Sequence, residues 1–284
     1  MTRSTSLTRR SFNRITLGTA ALASLPSCAP KAPRPRTIPE QEPVRLGVIG
    51  VRSRGAGLAN AFQNVPGCEV VAMCDCDSKV LDQQASRFGE KYGRRPATEV
   101  DVRAFVERDD LHGVVIATPN HWHAPATIYA CDAGKHVYVE KPCSHNANEG
   151  ELMVKAARKH KRAVQMGSQR RSGAAYQEGI KRLQEGVIGH VYSARAFYAG
   201  LRGATGTQKK ASVPKHINYD LWQGPAPRTP YTTNRVHYKW HWFWHWGNGE
   251  LGNNGVHSLD ICRWGLGVDY PIHVSSSGGR FAFK

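Results

Sequence analysis

The chain has 284 residues, enough for one large domain or two ordinary ones, and its 40% hydrophobic and 21% charged content excludes a disordered or fibrous protein. A formal charge of +17 invites a nucleic-acid reading, but seven of the 39 basic residues (Arg3, Arg9, Arg10, Arg14, Lys31, Arg34, Arg36) precede Glu40 with no acid among them, leaving 32 against 22. Much of the remainder is in Lys155, Arg158, Lys159, Lys161 and Arg162 at the end of a predicted helix, where cations suit the dipole; no nucleic-acid motif accompanies them and no nucleic-acid partner is expected.

Residues 1–30 read as an address. Thr8-Arg9-Arg10-Ser11-Phe12 precedes a mildly apolar run from Ile15 to Leu25, shorter than the roughly 20 residues of a membrane span, and resembles a twin-arginine export signal. A basic tail is the competing reading, but it does not explain the Gly/Ala/Leu run. Leu25-Pro26-Ser27-Cys28 looks like a lipoprotein cleavage box, which would anchor a lipid at Cys28, although Pro26 fits it poorly. Residues 31–43, with prolines at 33, 35, 39 and 43, read as an extended linker. The expected location is the periplasm or cell envelope, the expected partner the twin-arginine machinery, and no transmembrane segment is expected. Cys74, Cys76, Cys131 and Cys262 fall on predicted elements as small hydrophobes, and a protein exported after folding in a reducing cytoplasm needs no disulfide framework.

Val44 to Ile49 is a predicted strand, followed by Gly50-Val51-Arg52-Ser53-Arg54-Gly55 and a helix to about Asn64. This stands where a Gly-x-Gly-x-x-Gly dinucleotide loop would, with Gly50 making the turn, Gly55 letting helix and strand approach, and Arg52 in place of the middle glycine. Glu69 to Met73 reads as the next strand. Asp75 follows it where an acid takes the adenosine ribose hydroxyls, which favours NAD over NADP. Arg52 and Arg54 could instead meet a 2′-phosphate, so NADP stays open. Ser78 to Tyr92 and Val102 to Arg108 read as helices.

Gly113 to Ala117 is a short apolar β-branched run, the pattern of a strand buried on both faces, stopped by Thr118-Pro119-Asn120. The loop is expected to run to His123, a helix from Ala124 to Ala133, and a strand over Val137 to Val139 that delivers Glu140-Lys141-Pro142. Parallel strands joined by a right-handed crossover bring this loop and Lys141 to one carboxyl edge, where open α/β sheets bind ligands. Asn146 to His160 and Ala163 to Met166 complete a doubly wound α/β domain over residues 44–167.

From residue 168 to 284 the texture changes. Ala174 to Glu185 reads as a helix, Val191 to Tyr198 as a half-buried antiparallel strand, and a Gly/Pro/Lys-rich loop runs to about Pro230. The cluster Trp240-His241-Trp242-Phe243-Trp244-His245-Trp246 suits either a carbohydrate site, with about two of its four tryptophans facing ligand, or an aromatic core. Val256 to Trp264 reads as a helix carrying His257 and Asp260 on one face. His237, His241 and His245 recur at four-residue spacing, but no acid is near them in sequence, and no metal site is expected.

The glycine loop, Thr118-Pro119-Asn120-His121-Trp122-His123, Glu140-Lys141-Pro142 and Gly255-Val256-His257-Ser258-Leu259-Asp260 together resemble the Gfo/Idh/MocA family of NAD(P)-dependent oxidoreductases, from about Arg45 onward. The resemblance implies a Rossmann domain followed by an α/β domain with an open, mostly antiparallel sheet that oligomerises, and a sugar or polyol substrate. It implies Lys141 and His257 as the catalytic pair, with Thr118, Pro119, Asn120, His123 and Glu140 lining the nicotinamide half of the site. Trp242, Asn253 and Asp260 are expected at the substrate. Many members have Asp four residues before the histidine; Asn253 stands there, so Asp260 is the candidate to orient His257. The chain ends at Phe281-Ala282-Phe283-Lys284, where the family's second domain continues, so that domain is expected to be incomplete. The expected reaction is hydride transfer between a retained nicotinamide cofactor and a sugar hydroxyl. Redox-neutral NAD-dependent glycoside cleavage is the alternative, and a non-catalytic sugar-binding protein a third.

Overall fold

The computed structural model describes residues 42–200 and 202–279. The export signal, Cys28, the linker up to residue 41 and the terminal Phe281 to Lys284 lie outside the described residues.

Strands and helices alternate in chain order: β1 (Val44–Ile49), α1 (Arg54–Gln63), β2 (Cys68–Cys74), α2 (Ser78–Tyr92), β3 (Ala97–Glu99), α3 (Val102–Val106), β4 (Gly113–Ile116), α4 (Asn120–Asp132), β5 (His136–Glu140), α5 (Ala147–His160) and β6 (Val164–Gly167). Every strand pair is parallel and the order is β3-β2-β1-β4-β5-β6, so the winding reverses between β1 and β4. Such a reversal opens a crevice at the carboxyl edge.

The side-chain alternation of the strands feeds two apolar layers. Ile49, Val114 and Ile116 point into the layer formed with α3, α4 and α5, while Val48 and Val115 point into that formed with α1 and α2. Gly47 is in mid-strand because a Cβ there would sit 2.6 Å from the Phe105 ring. Helix ends follow local chemistry. Asp77 caps α2 by accepting from the Lys79 and Val80 N–H groups, Gly93 ends it at φ 77°, and Asn146 caps α5 by accepting from Glu149 N–H.

Three local expectations need correction. Helix α4 begins at Asn120, not Ala124, so His121, Trp122 and His123 belong to its first turns; the Trp246 carbonyl accepts from His121 N–H at 3.3 Å, a partner that local sequence does not show. The short strand β3 has no counterpart among the expected elements. Val191 to Tyr198 forms no strand, and Tyr192 and Phe197 are 87% and 79% exposed, because a period-two pattern needs a paired ladder and none meets it among the described residues.

After the sheet come α6 (Ala174–Gln184), α7 (Tyr219–Gln223) inside the expected long loop, and α8 (Val256–Leu266), preceded by a wide π-type turn over Leu251–Gly255. Of the expected antiparallel sheet, the described residues show two isolated bridges, Asp77 with Ile217 and Lys210 with Thr232. A third apolar cluster, Ile217, Tyr219, Trp222, Ala226 and Trp246, lies beside the carboxyl edge.

Candidate active site

A cavity of about 400 Å³ opens where β1, β2, β4 and β5 end. Of the residues singled out in the sequence, Gly50, Arg52, Ser53 and Asp75 line it at one end. Thr118, Pro119, Asn120 and His123 line its middle, and Arg54, Glu140, Lys141, Asn253 and His257 line the other end. Gly55 lies just behind: a Cβ there would fall 1.8 Å from the Gly50 carbonyl oxygen, so only glycine lets α1 start this close to β1.

The phosphate end is built from backbone. Gly50 takes φ 81°, donates to the Cys74 carbonyl at 2.8 Å, and leaves no room for a side chain against Ala117. Ser53 occupies the cap position of α1 without a side-chain cap hydrogen bond, so the helix presents unsatisfied N–H groups. Asp75 is held by Val51 N–H and Asp77 N–H, each at 3.0 Å, and burial raises its pKa to about 6. Arg54 does not serve the adenosine end: its Nε donates to Glu140 Oε1 at 2.6 Å. Of the two arginines that could have met a 2′-phosphate, Arg52 remains. Thr118 Oγ1 is buried without a hydrogen-bond partner among the described residues. A turn with no space for Cβ, an uncapped helix start and an orphaned hydroxyl in one crevice fit a dinucleotide.

At the reactive end Lys141 Nζ donates to the Asn253 carbonyl at 2.7 Å and to Asn253 Oδ1 at 3.3 Å. Burial lowers the Lys141 pKa; Glu140 and Glu250 oppose that and Arg54 adds to it. The His257 pKa is lowered by burial and then by the Lys141 and Arg170 charges, which keeps the imidazole neutral and able to accept a proton. His123 lies between the Pro142 carbonyl at 2.6 Å and the Thr118 carbonyl at 2.8 Å, pinning α4 to the segment after β5.

Other expected residues fall elsewhere. Asp260 does not orient His257: both its oxygens accept from Arg171, at 2.8 and 2.7 Å. Trp242 lies outside the cavity lining, near Tyr238 and Arg202. Of the four clustered tryptophans only Trp240 lines the cavity; Trp246 is buried against Trp222 and Trp244 is exposed. His237 donates to Asp77 at 2.7 Å and His241 pairs with the Tyr238 carbonyl, so the spaced histidines turn to different partners. Trp122, Trp222 and Tyr238 also line the cavity. Only Trp122, inside the Thr-Pro-Asn-His-Trp-His run, was signalled by a motif.

Comparison with known proteins agrees with this geometry. Residues 44–168 match the Gfo/Idh/MocA oxidoreductase family's NAD-binding Rossmann fold, and residues 192–278 match its C-terminal alpha/beta domain. The chain belongs to the Gfo/Idh/MocA family. Glycosyl hydrolase family 109 protein 2 of Shewanella sp. (strain ANA-3) is 33% identical over 208 residues, 67% of this chain and 45% of that protein. A glycosyl hydrolase family 109 protein of Shewanella pealeana is 30% identical over 165 residues, 57% of this chain and 36% of that one. The chain thus spans less than half the length of these curated relatives. Among solved structures, GenD2 from gentamicin A biosynthesis in complex with NAD superposes with TM-score 0.56 at 20% identity, over 82% of this chain and 56% of GenD2, and shares the Gfo/Idh/MocA fold.

Proposed function

We propose that this Gfo/Idh/MocA protein moves a hydride between a bound nicotinamide cofactor and a secondary hydroxyl of a sugar or polyol. The observation that supports this most is that Lys141, from the end of β5, and His257, from α8, line one cavity with the phosphate loop. NAD, when bound, supplies a two-electron acceptor at its nicotinamide ring. Gly50, Arg52, Ser53 and Asp75 would hold its adenosine and phosphate half, and Thr118, Pro119, Asn120 and Glu140 its nicotinamide half. His257, neutral near pH 7, takes the hydroxyl proton. Lys141, its ammonium aimed by Asn253, donates a hydrogen bond to the oxygen as it becomes a carbonyl.

The names of the Shewanella relatives favour a second reading of the same site, redox-neutral cleavage of a glycoside. Oxidation beside a glycosidic bond acidifies the neighbouring C–H, elimination releases the aglycone, water adds, and the hydride is returned. We propose further, from Thr8 to Phe12, that the protein is exported by the twin-arginine route to the periplasm or envelope and keeps its nucleotide through the cycle. Self-assembly and a lipid at Cys28 belong to the same proposal.

The test is to incubate the purified full-length protein with hexoses, polyols and nitrophenyl glycosides, then denature it and identify the released nucleotide by mass and absorbance. Reduced nucleotide appearing with a sugar or polyol supports net oxidation. Nitrophenol without net reduced nucleotide supports cleavage. A protein that retains and rebinds no nucleotide, and turns over no substrate, overturns both, and unchanged turnover in Lys141→Met removes Lys141 from the mechanism.

A further inference from the structure

Asn253 occupies the position where many members of this family carry aspartate, so the ammonium of Lys141 meets an amide and a backbone carbonyl instead of a carboxylate. The hydrogen bonds of the ammonium thus go to neutral dipoles, and the charge that offsets its burial comes from carboxylates it does not touch, Glu140 and Glu250. The missing negative charge stands one residue further out. Glu250 Oε1 accepts from Asn253 Nδ2 at 3.4 Å, and the Asn254 side-chain amide donates to the same oxygen. Arg202 fixes the carboxylate from the other side, its Nε on Oε2 at 3.0 Å and its second terminal nitrogen on Oε1 at 3.1 Å. The guanidinium is itself seated against Tyr198 and Trp242 at 5.5 and 5.6 Å and reaches the Tyr238 hydroxyl at 3.4 Å. A continuous polar chain therefore runs Arg202, Glu250, Asn253, Lys141.

We infer that Glu250 is the positioning residue of this site: through Asn253 its carboxylate aims the Lys141 ammonium and supplies the charge that an aspartate at 253 would have supplied. The inference deepens the reading of Lys141 as donor to the substrate oxygen and rests on it. The amide is suited to the task, because one end accepts from Lys141 while the other donates to Glu250, which a carboxylate could not do. Burial works to raise the Glu250 pKa, but the hydrogen bonds from Arg202 and Asn254 outweigh it and keep the carboxyl ionised.

Other charges also face Lys141: Glu140 and Arg54 beside it, His123 from α4, and His241 and His257 across the cavity. His241 itself feels Glu250, which raises its pKa, and Arg202, which lowers it, so the chain is read from the opposed signs of a pair of substitutions. Glu250→Gln keeps the shape and removes the charge, whereas Arg202→Gln leaves Glu250 charged and unneutralised. The first lowers the pKa of Lys141 and the second raises it.

The measurement is competitive trace acetylation with acetic anhydride across pH on the full-length protein, nucleotide-free and NAD-loaded, with the peptide carrying Lys141 quantified by mass spectrometry. The expected shifts are opposite in sign and about half a pH unit or more each, the scale of a nearby charge acting across one intervening group. The alkaline limb of the kcat profile should move in the same two directions. A merely structural role predicts losses of activity in both variants with no opposed shift; Lys141 titrating alike in all three proteins, or moving the same way in both variants, overturns the inference. Opposed shifts in a protein that turns over no sugar or glycoside would uphold the charge chain and sink the proposed reaction instead.

Discussion

His237 Nε2 donates to Asp77 Oδ2 at 2.7 Å, tying together residues 160 positions apart. Asp77 is 1% exposed; its other oxygen accepts from His216 Nδ1 and from the Lys79 and Val80 N–H groups, each at 3.0 Å. One carboxylate thus caps α2 and holds the segment that forms the aromatic wall of the site. Asp77→Ala should destabilise the protein by about 4 kcal/mol, combining a lost cap of about 1 with two charge-assisted bonds of about 1.5 each. Denaturant unfolding would measure this, and hydrogen exchange at Ile217 and Asn218 would rise.

The same contact has a pH signature. Burial works to raise the Asp77 pKa, but its hydrogen bonds win and hold it below the ordinary value, so its contribution is complete above 3.8 and is lost as pH falls through the lower folded value. Burial lowers the His237 pKa, only partly offset by Asp77, so its contribution is complete above 6.5 and declines as pH drops below that. The two windows carry opposite differences: below about pH 6.5 Asp77→Ala should lose more stability than wild type, because its His237 lacks the offset from Asp77, and only below about 3.8 should wild type lose more. Equal losses in the two proteins would remove the clasp from the explanation.

Asp75 predicts how the nucleotide preference moves. With its pKa raised to about 6 by burial, it is ionised at neutral pH, when it accepts from ribose hydroxyls and repels a 2′-phosphate. Below that value it protonates and the repulsion fades. The ratio of NADPH to NADH dissociation constants, followed by fluorescence titration, should therefore fall as pH drops through about 6, and Asp75→Asn should show a low ratio at every pH. A wild-type ratio that is flat across that range would exclude Asp75 from the selection.

Two glycines in α1 give a paired test of the phosphate loop. A Cβ at Gly55 would lie 1.8 Å from the Gly50 carbonyl oxygen, backbone that cannot yield without moving the turn, whereas a Cβ at Gly57 meets nothing within 4 Å. Gly55→Ala should cost several kcal/mol or abolish nucleotide retention, on the scale of strain and overpacking, while Gly57→Ala should gain up to about 1 kcal/mol from helix propensity. Thermal unfolding with and without NAD distinguishes them. Similar behaviour of the two variants would mean that the close approach at Gly55 does not matter.

Much of this was legible in the sequence. β1, β4 and β5 were readable because strands buried on both faces are short β-branched runs, and the edge they share follows from the handedness of the crossovers. That Gly50, Lys141 and His257 share one cavity was readable because each stands in a local motif that the family resemblance ties together. What was hidden depends on distant partners. Asp260 reads as an orienter of His257 because the two share a helix face, yet Arg171, 89 positions away, takes both its oxygens. Glu250 and Arg202 carry no motif, and their part is visible only once folding sets them behind Asn253. Val191 to Tyr198 has the period of a strand, but period alone does not supply a neighbour.

Thr118 offers the most direct check of the nicotinamide half. A buried hydroxyl costs folding free energy when it has no partner, as Thr118 Oγ1 has none among the described residues, so something other than stability must favour it here. Thr118→Val keeps the shape and removes the hydroxyl. The nucleotide-free protein should then be as stable as wild type or more stable by up to about 1 kcal/mol, while NAD affinity falls roughly fivefold, the worth of one neutral hydrogen bond. Unfolding midpoints without nucleotide and calorimetric titration with NAD give the two numbers. If instead stability drops and affinity holds, the hydroxyl serves the fold, and the middle of the cavity must bind the nucleotide through backbone alone.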